Sequence, residues 1–377
     1  MVGCSSQAIE SSDEAAGGSA GTNGTSGAAA VSPSVKLVDV YTPKLRVEVS
    51  ATALAFNPTV EGELWVSLRQ FPSGKPCTLD IDAGCAALPG VMAVVNEATT
   101  APVVELKEDG NSWHFMRRPT AIAWGEGALF ASCGEGLTDN YEDDDTPYAG
   151  PALWSSDPAI FGVEPLPTQN GTHIDMLHET PYCMGLAHES ANAFWAFNGL
   201  AGSLDRVDFH APHVVGGEDH DDGEVHRYIA GQLLREPEVP SHLAYDGARK
   251  LVYVADTGHG RVLSVDPSTA VAGDDIVVYE KLDGGSGFMD GALVKTLVPS
   301  GVLQKPSGLT LVDDVLYVTD NATSRIYGFD TNGQLLKALD TGLPAGSLAG
   351  IAMGPDQMLY VSNLLTGGVH RVELTAE

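Results

Sequence analysis

The segment His173-Ile174-Asp175-Met176-Leu177-His178-Glu179-Thr180-Pro181-Tyr182-Cys183-Met184 holds the densest set of chemistry-bearing side chains in the chain. Imidazole nitrogens suit zinc or copper, and the sulfurs of Met and Cys suit copper(I). In a strand, His173, Asp175 and Leu177 share one side, while His178 and Glu179 fall in the link that follows. Far along the chain, His242 stands among small residues. It is either a hydrogen-bonded packing residue or, with His178, a ligand to a divalent metal or a general base. Arg117 and Arg118 can hold an anionic group bidentately or pair with the acidic surface. Two carboxylate runs, Glu142-Asp143-Asp144-Asp145 and Glu218-Asp219-His220-Asp221-Asp222-Gly223-Glu224, contain the oxygen donors calcium needs. Neither has the EF-hand spacing, so both read as solvated charge. His210, His213 and His226 flank the second run without a recognised zinc spacing. There is no nucleophile elbow, phosphate-binding glycine loop or Cys-x-x-Cys pair.

The elements that position these residues come from a repeat. Pro240-Ser241-His242-Leu243-Ala244-Tyr245 is followed by Leu251-Val252-Tyr253-Val254-Ala255-Asp256 and Arg261-Val262-Leu263-Ser264-Val265-Asp266. The same order returns at Pro306-Ser307-Gly308-Leu309, Val315-Leu316-Tyr317-Val318-Thr319-Asp320 and Arg325-Ile326-Tyr327-Gly328-Phe329-Asp330. Weaker copies are anchored at Leu54, Leu186, Ile122 and Ile351, which makes six repeats.

Pro-x-Gly-Leu followed by Leu-Tyr-Val-x-Asp and Arg-Ile resembles the NHL repeat. The resemblance implies an all-β, six-bladed β-propeller over residues 35–377. The last repeat ends at its third strand, His370-Arg371-Val372-Glu373-Leu374, and Val35-Lys36-Leu37-Val38-Asp39-Val40 has the alternation to supply the fourth. The N-terminal strand is therefore expected to join the last blade and close the ring. Strand ends at Asn198, Asp256, Asp320 and Asn363, with Arg117, face the top opening and are candidate ligand-binding residues. NHL-like propellers include the peptidyl-hydroxyglycine amidating lyase, which holds zinc with axial histidines beside an arginine and a tyrosine. That likeness implies comparable parts for His242, His178, Arg118 and Tyr182, although His242 alone stands at the aligned axial position. Similar six-bladed rings include calcium-dependent lactonases.

Apolar residues make up 43% of the 377, enough for a large core, and 43 glycines with 22 prolines fit a fold rich in tight turns. The formal charge of −30 excludes nucleic acid and anionic lipid as partners. Met1-Val2-Gly3-Cys4-Ser5-Ser6 resembles the end of a bacterial lipobox, so Cys4 is a lipidation candidate, and residues 5–34 read as a tether. Four cysteines remain. Cys77 and Cys85 share one loop and are expected to pair, while Cys133 and Cys183, on adjacent blades near the axis, form either a disulfide or a thiolate metal site. The sequence thus describes a periplasmic, membrane-anchored lipoprotein of a Gram-negative bacterium, monomeric, binding a protein, peptide, glycan or small molecule on its top face. The alternatives are a metal-dependent lyase or hydrolase, with zinc, calcium or copper at the axis, and copper handling through Met176, His178, Cys183 and Met184.

Overall fold

The computed structural model describes residues 34–44, 48–71, 90–138, 146–163 and 170–374. Cys4, the Cys77/Cys85 pairing and the acidic run from Glu142 to Asp145 lie outside them. Runs such as Leu251-Val252-Tyr253-Val254 carry the β-branched and aromatic side chains that fit a pleated surface. The turns between them are fixed by short polar side chains, as where Asp246 Oδ1 accepts from both Ala248 N and Arg249 N at 3.0 Å.

Blade one comprises Glu48–Phe56, Leu64–Phe71, Val91–Asn96 and Val103–Lys107. Blade two is Pro119–Trp124, Leu129–Gly134, Ala152–Ser155 and His173–Met176, and blade three Cys183–Ser190, Ala193–Asn198, Ser203–Asp208 and Glu224–Tyr228. Blade four is Leu243–Asp246, Leu251–Asp256, Arg261–Asp266 and Leu293–Val298, and blade five Pro306–Val312, Val315–Asp320, Arg325–Asp330 and Leu335–Asp340. Blade six takes Leu348–Met353, Leu359–Asn363 and Val369–Leu374 from the C-terminus and Val35–Tyr41 from the N-terminus. The last pairing is antiparallel, from Val35 opposite Leu374 to Asp39 opposite His370, so the ring closes as the alternation predicts.

Six apolar clusters hold the ring, each between neighbouring blades. Between blades one and two, Trp65 meets Phe130 at 5.0 Å and Phe161 at 5.4 Å, in tilted arrangements that aromatic quadrupoles favour. Near the axis the inner strands run so close that a Cβ on Gly185 would lie 2.0 Å from the Ser241 carbonyl oxygen. This is why small residues ring the opening.

One feature breaks the four-strand rule. In blade four, the connection between Arg261–Asp266 and Leu293–Val298 leaves its own sheet. Its strand Gly285–Asp290 pairs in parallel with Glu224–Tyr228 of blade three, and Val271–Ala272 adds outside it. This strap brings Tyr279 and Glu280 onto the seam between blades two and three.

Candidate metal centre

The outer strand of blade two starts from a turn that only glycine fits: Gly171 has φ +67°, and a Cβ there would lie 2.0 Å from Asp109 Oδ1. Asp109 Oδ2 fixes the same turn by accepting from Thr172 N at 2.7 Å and Thr172 Oγ1 at 2.5 Å. His173 follows, turned toward blade three. There the loop between Ser203–Asp208 and Glu224–Tyr228 docks on the edge of the blade-two strand: His213 N donates to Ile174 O at 2.9 Å and Gly216 N to His173 O at 2.8 Å. The loop thereby presents His213 and His220 to His173. Ring centroids are 5.0 Å apart for His173–His213, 5.1 Å for His213–His220 and 5.8 Å for His173–His220.

One nitrogen of each ring lies within 4.8 Å of the others. The opposite edges face oxygen. His173 Nδ1 donates to Asn170 O at 2.8 Å, His213 Nδ1 donates to Val214 O at 2.6 Å, and His220 Nδ1 faces Glu280 Oε2 at 4.0 Å. For His173 and His213 the carbonyl acceptor on Nδ1 fixes the tautomer and leaves Nε2 as the lone-pair edge, the arrangement that metal-ligating histidines show. Nε2 of His213 and of His220 is buried without a hydrogen bond. Burial, with the neighbouring imidazoles, pulls His173 down to about 3 and His220 to about 4, and burial lowers His213 as well. All three are therefore neutral ligand bases at ordinary pH.

Beside the trio lies Asp175, on the same side of the strand. Its Oδ1 accepts from Met176 N at 2.8 Å, while Oδ2 is buried without a partner. Burial raises this carboxyl to about 8. His178 stacks on Tyr148 at 3.7 Å, and both its N and Nδ1 donate to Glu280, at 2.5 and 3.0 Å. Burial lowers His178 to about 3 and raises Glu280 to about 7, so the contact is a hydrogen bond of a neutral imidazole rather than an ion pair. His178 Nε2 is also buried and unpartnered. These four buried polar atoms without a hydrogen bond among the described residues each cost about 1–3 kcal/mol and make the cleft a candidate ligand site.

The remaining sequence candidates are placed elsewhere. His242 lies at the axis, where its Nε2 donates to Thr120 O at 3.0 Å across from blade four to blade two; burial lowers its pKa. It is a packing bridge, and it shares no site with His178, which sits at the outer end of its link. The four residues assigned by likeness to the lyase thus fall in three places, with Arg118 and Tyr182 at the top mouth. The copper set does not assemble. Cys183 is bonded to Cys133, Met176 lies in the core between blades one and two, and Met184 in that between blades three and four. Asn198, Asp256, Asp320 and Asn363 are buried and hold backbone N–H groups, Asn198 and Asn363 those of the turn that follows and Asp256 and Asp320 those of the link before the blade's inner strand. Asn198 Oδ1 accepts from Ala201 N at 2.9 Å, Asp256 Oδ1 from Leu234 N at 2.9 Å, Asp320 Oδ1 from Lys305 N at 2.8 Å, and Asn363 Oδ1 from Leu365 N at 3.0 Å. Arg117 donates to Thr138 O. His210 and His226 both face Glu224, at 3.6 and 2.9 Å, away from the trio.

No family model matches the chain, and no curated protein matches its sequence. Solved structures do match in shape. A protein of unknown function from Bacteroides thetaiotaomicron aligns at 10% identity with a TM-score of 0.52, over 91% of this chain and 73% of that one. A calcium-binding protein, regucalcin, from Agrobacterium tumefaciens aligns at 14% and 0.51, over 92% and 96%. An auxiliary nutrient binding protein from Bacteroides ovatus aligns at 10% and 0.50, over 91% and 78%. At these identities the likeness establishes the propeller fold alone.

Proposed function

We propose that this chain is an extracytoplasmic β-propeller whose working centre is a zinc-class ion held by His173, His213 and His220 between blades two and three. The observation that carries the reading is the gathering of the three imidazoles, one nitrogen of each within 4.8 Å of the others, with Nδ1 of His173 and of His213 turned to a carbonyl oxygen. Nitrogen donors favour zinc or copper(II) over calcium, which takes oxygen. A tetrahedral zinc site would need ligand nitrogens about 3.3 Å apart, so the rings would have to draw together to hold the ion. Three histidines leave a fourth position for water or a ligand oxygen. There the ion supplies Lewis acidity, while Asp175 and the His178–Glu280 pair are the groups beside it that can hold or pass a proton. The metal-dependent lyase or hydrolase reading accordingly moves from the axis to this cleft.

The Cys133–Cys183 disulfide fits an oxidising compartment, and among the described residues no helix is long and apolar enough to cross a membrane. Lipidation of Cys4, the tether after it and descent of the blades from NHL repeats complete the proposal. They rest on the lipobox-like start, the composition of residues 5–34 and the two best repeats.

The test is metal content by plasma mass spectrometry, on protein purified without added metal, for the wild type, His220→Ala and His242→Ala. About one equivalent of zinc or copper that disappears in His220→Ala and persists in His242→Ala supports the reading. No stoichiometric metal, or metal lost only in His242→Ala, contradicts it.

A further inference from the structure

Four guanidinium groups, Arg69, Arg117, Arg118 and Arg235, gather at the top mouth of a protein whose formal charge is −30. They come from blade one, the link into blade two and the link into blade four, so they span the opening. Glu135, at the end of the second strand of blade two, is fully buried among them. Its Oε2 accepts from Arg69 Nη2 at 3.3 Å and its Oε1 from Arg235 Nη1 at 2.6 Å, and the Glu238 amide donates to both oxygens at 3.0 and 3.1 Å. Arg235 also lies 4.1 Å over the Tyr182 ring. Glu135 is thus saturated by two arginines and a backbone N–H, and the exposed Glu238 is the other carboxylate acting on Arg118.

Among the described residues the Arg118 guanidinium takes part in no hydrogen bond or ion pair, while its carbonyl accepts from Glu135 N at 2.9 Å. Burial and the neighbouring Arg69 lower its pKa, against the opposing pull of Glu135 and Glu238. Arg69 Nε is buried without a partner. Backbone strain coincides with this chemistry: Arg118 and Tyr182 occupy equivalent positions before the inner strands of blades two and three, and both have φ +52°. Left-handed backbone at non-glycine residues persists where surrounding structure holds it, and it gathers at binding sites. Below, the opening is floored by the His242–Thr120 bridge and the Cys133–Cys183 disulfide.

We propose that this mouth binds an oxyanion, the carboxylate or phosphate group of a small ligand, with Arg118 as its principal donor and Arg69 and Arg235 as supporting charge. A planar fork with no partner among the described residues, beside a saturated carboxylate, is suited to bidentate recognition of either group, and the gathered guanidinium groups make this spot attractive to an anion on an otherwise acidic, anion-repelling protein. The proposal stands apart from the imidazole centre, which lies at the outer edge of the blades.

The test is calorimetric titration of the full chain with inorganic phosphate and, separately, with succinate, at low ionic strength. At least one anion should bind saturably at a single site. Phosphate alone assigns a phosphorylated ligand, succinate alone a carboxylate. Arg118→Gln should weaken binding about tenfold or more, and Arg118→Lys should restore only part of it. Both variants should keep the wild-type metal content and unfolding midpoint. His220→Ala should bind the anion as the wild type does. Absence of saturable binding for both anions, equal affinity in Arg118→Gln, or loss of binding in His220→Ala would each overturn the proposal.

Discussion

Replacing Glu135 by Gln should have two effects of opposite sign. The carboxylate is fully buried and takes four N–H contacts, two of them from guanidinium groups. Glutamine keeps one oxygen and turns an NH2 toward donors that have no lone pair to offer. Removing one partner of a buried ion pair costs about 3–5 kcal/mol. Arg235 retains some contact with water, its side chain being 20% exposed, which places the expected loss near the lower end, about 3 kcal/mol. The same change removes the carboxylate that acts most strongly on Arg118, so affinity for the oxyanion should rise, by about tenfold at the effective dielectric of a protein surface. Urea denaturation gives the first quantity, provided the slope is unchanged, and calorimetric titration with phosphate or succinate gives the second. A stability loss below about 0.5 kcal/mol would mean that the ion pair is not buried as described. A simultaneous fall in anion affinity would mean that Glu135 shapes the mouth in some way other than through its charge.

Three further outcomes follow from the geometry. Replacing Cys133 and Cys183 together by Ala should lower stability by about 4 kcal/mol, the chain-entropy value for a sequence separation of 50; an unchanged urea midpoint contradicts it. Burial raises Glu179 to about 7. A carboxyl raised in the folded state contributes stability below its unfolded pKa and loses it as pH climbs to the folded value. Metal-free protein should therefore lose roughly 2–3 kcal/mol through this group between pH 4.5 and 7.5. Glu179→Gln keeps the acceptor that holds Tyr279 N at 2.6 Å and should flatten the slope; an identical pH profile contradicts the assignment. Val40→Asp puts an unpaired carboxylate in the core between blades six and one, and should destabilise by several kcal/mol while opening Val369–Leu374 to proteases. Wild-type protease resistance would show that the closing strand is dispensable.

The frame was legible because each blade repeats a local pattern. Leu-Tyr-Val-x-Asp marks second strands, and the missing fourth strand of the last repeat pointed to Val35–Tyr41. Adjacency of blades two and three brings Cys133 and Cys183 together, and of the two alternatives the structure shows the disulfide. The strap was not legible: Gly285–Asp290 pairs with a strand of another blade, and no local periodicity reports a parallel partner so distant. The histidine cluster was half visible. His173 and Asp175 were read on one side of their strand, but His220 was hidden inside an acidic run whose charge reads as solvated surface. His213 meets it only because the loop folds back on blade two. The signal that was present, two histidines in the loop facing a histidine on the neighbouring blade edge, needs the ring geometry before it means anything. The strand-end Asn and Asp residues show the reverse. Their position at the mouth suggests ligands, but Asn198 and Asn363 are fixed by backbone N–H groups of the turn that follows, and Asp256 and Asp320 by those of the link before the inner strand.

The measurement that tests the central claim most directly is anomalous diffraction at the zinc edge from crystals of the zinc-loaded protein. A single peak about 2.1 Å from a ring nitrogen of each of His173, His213 and His220 is the expected result. A peak elsewhere, or none above noise with the three imidazoles ordered, would contradict the account.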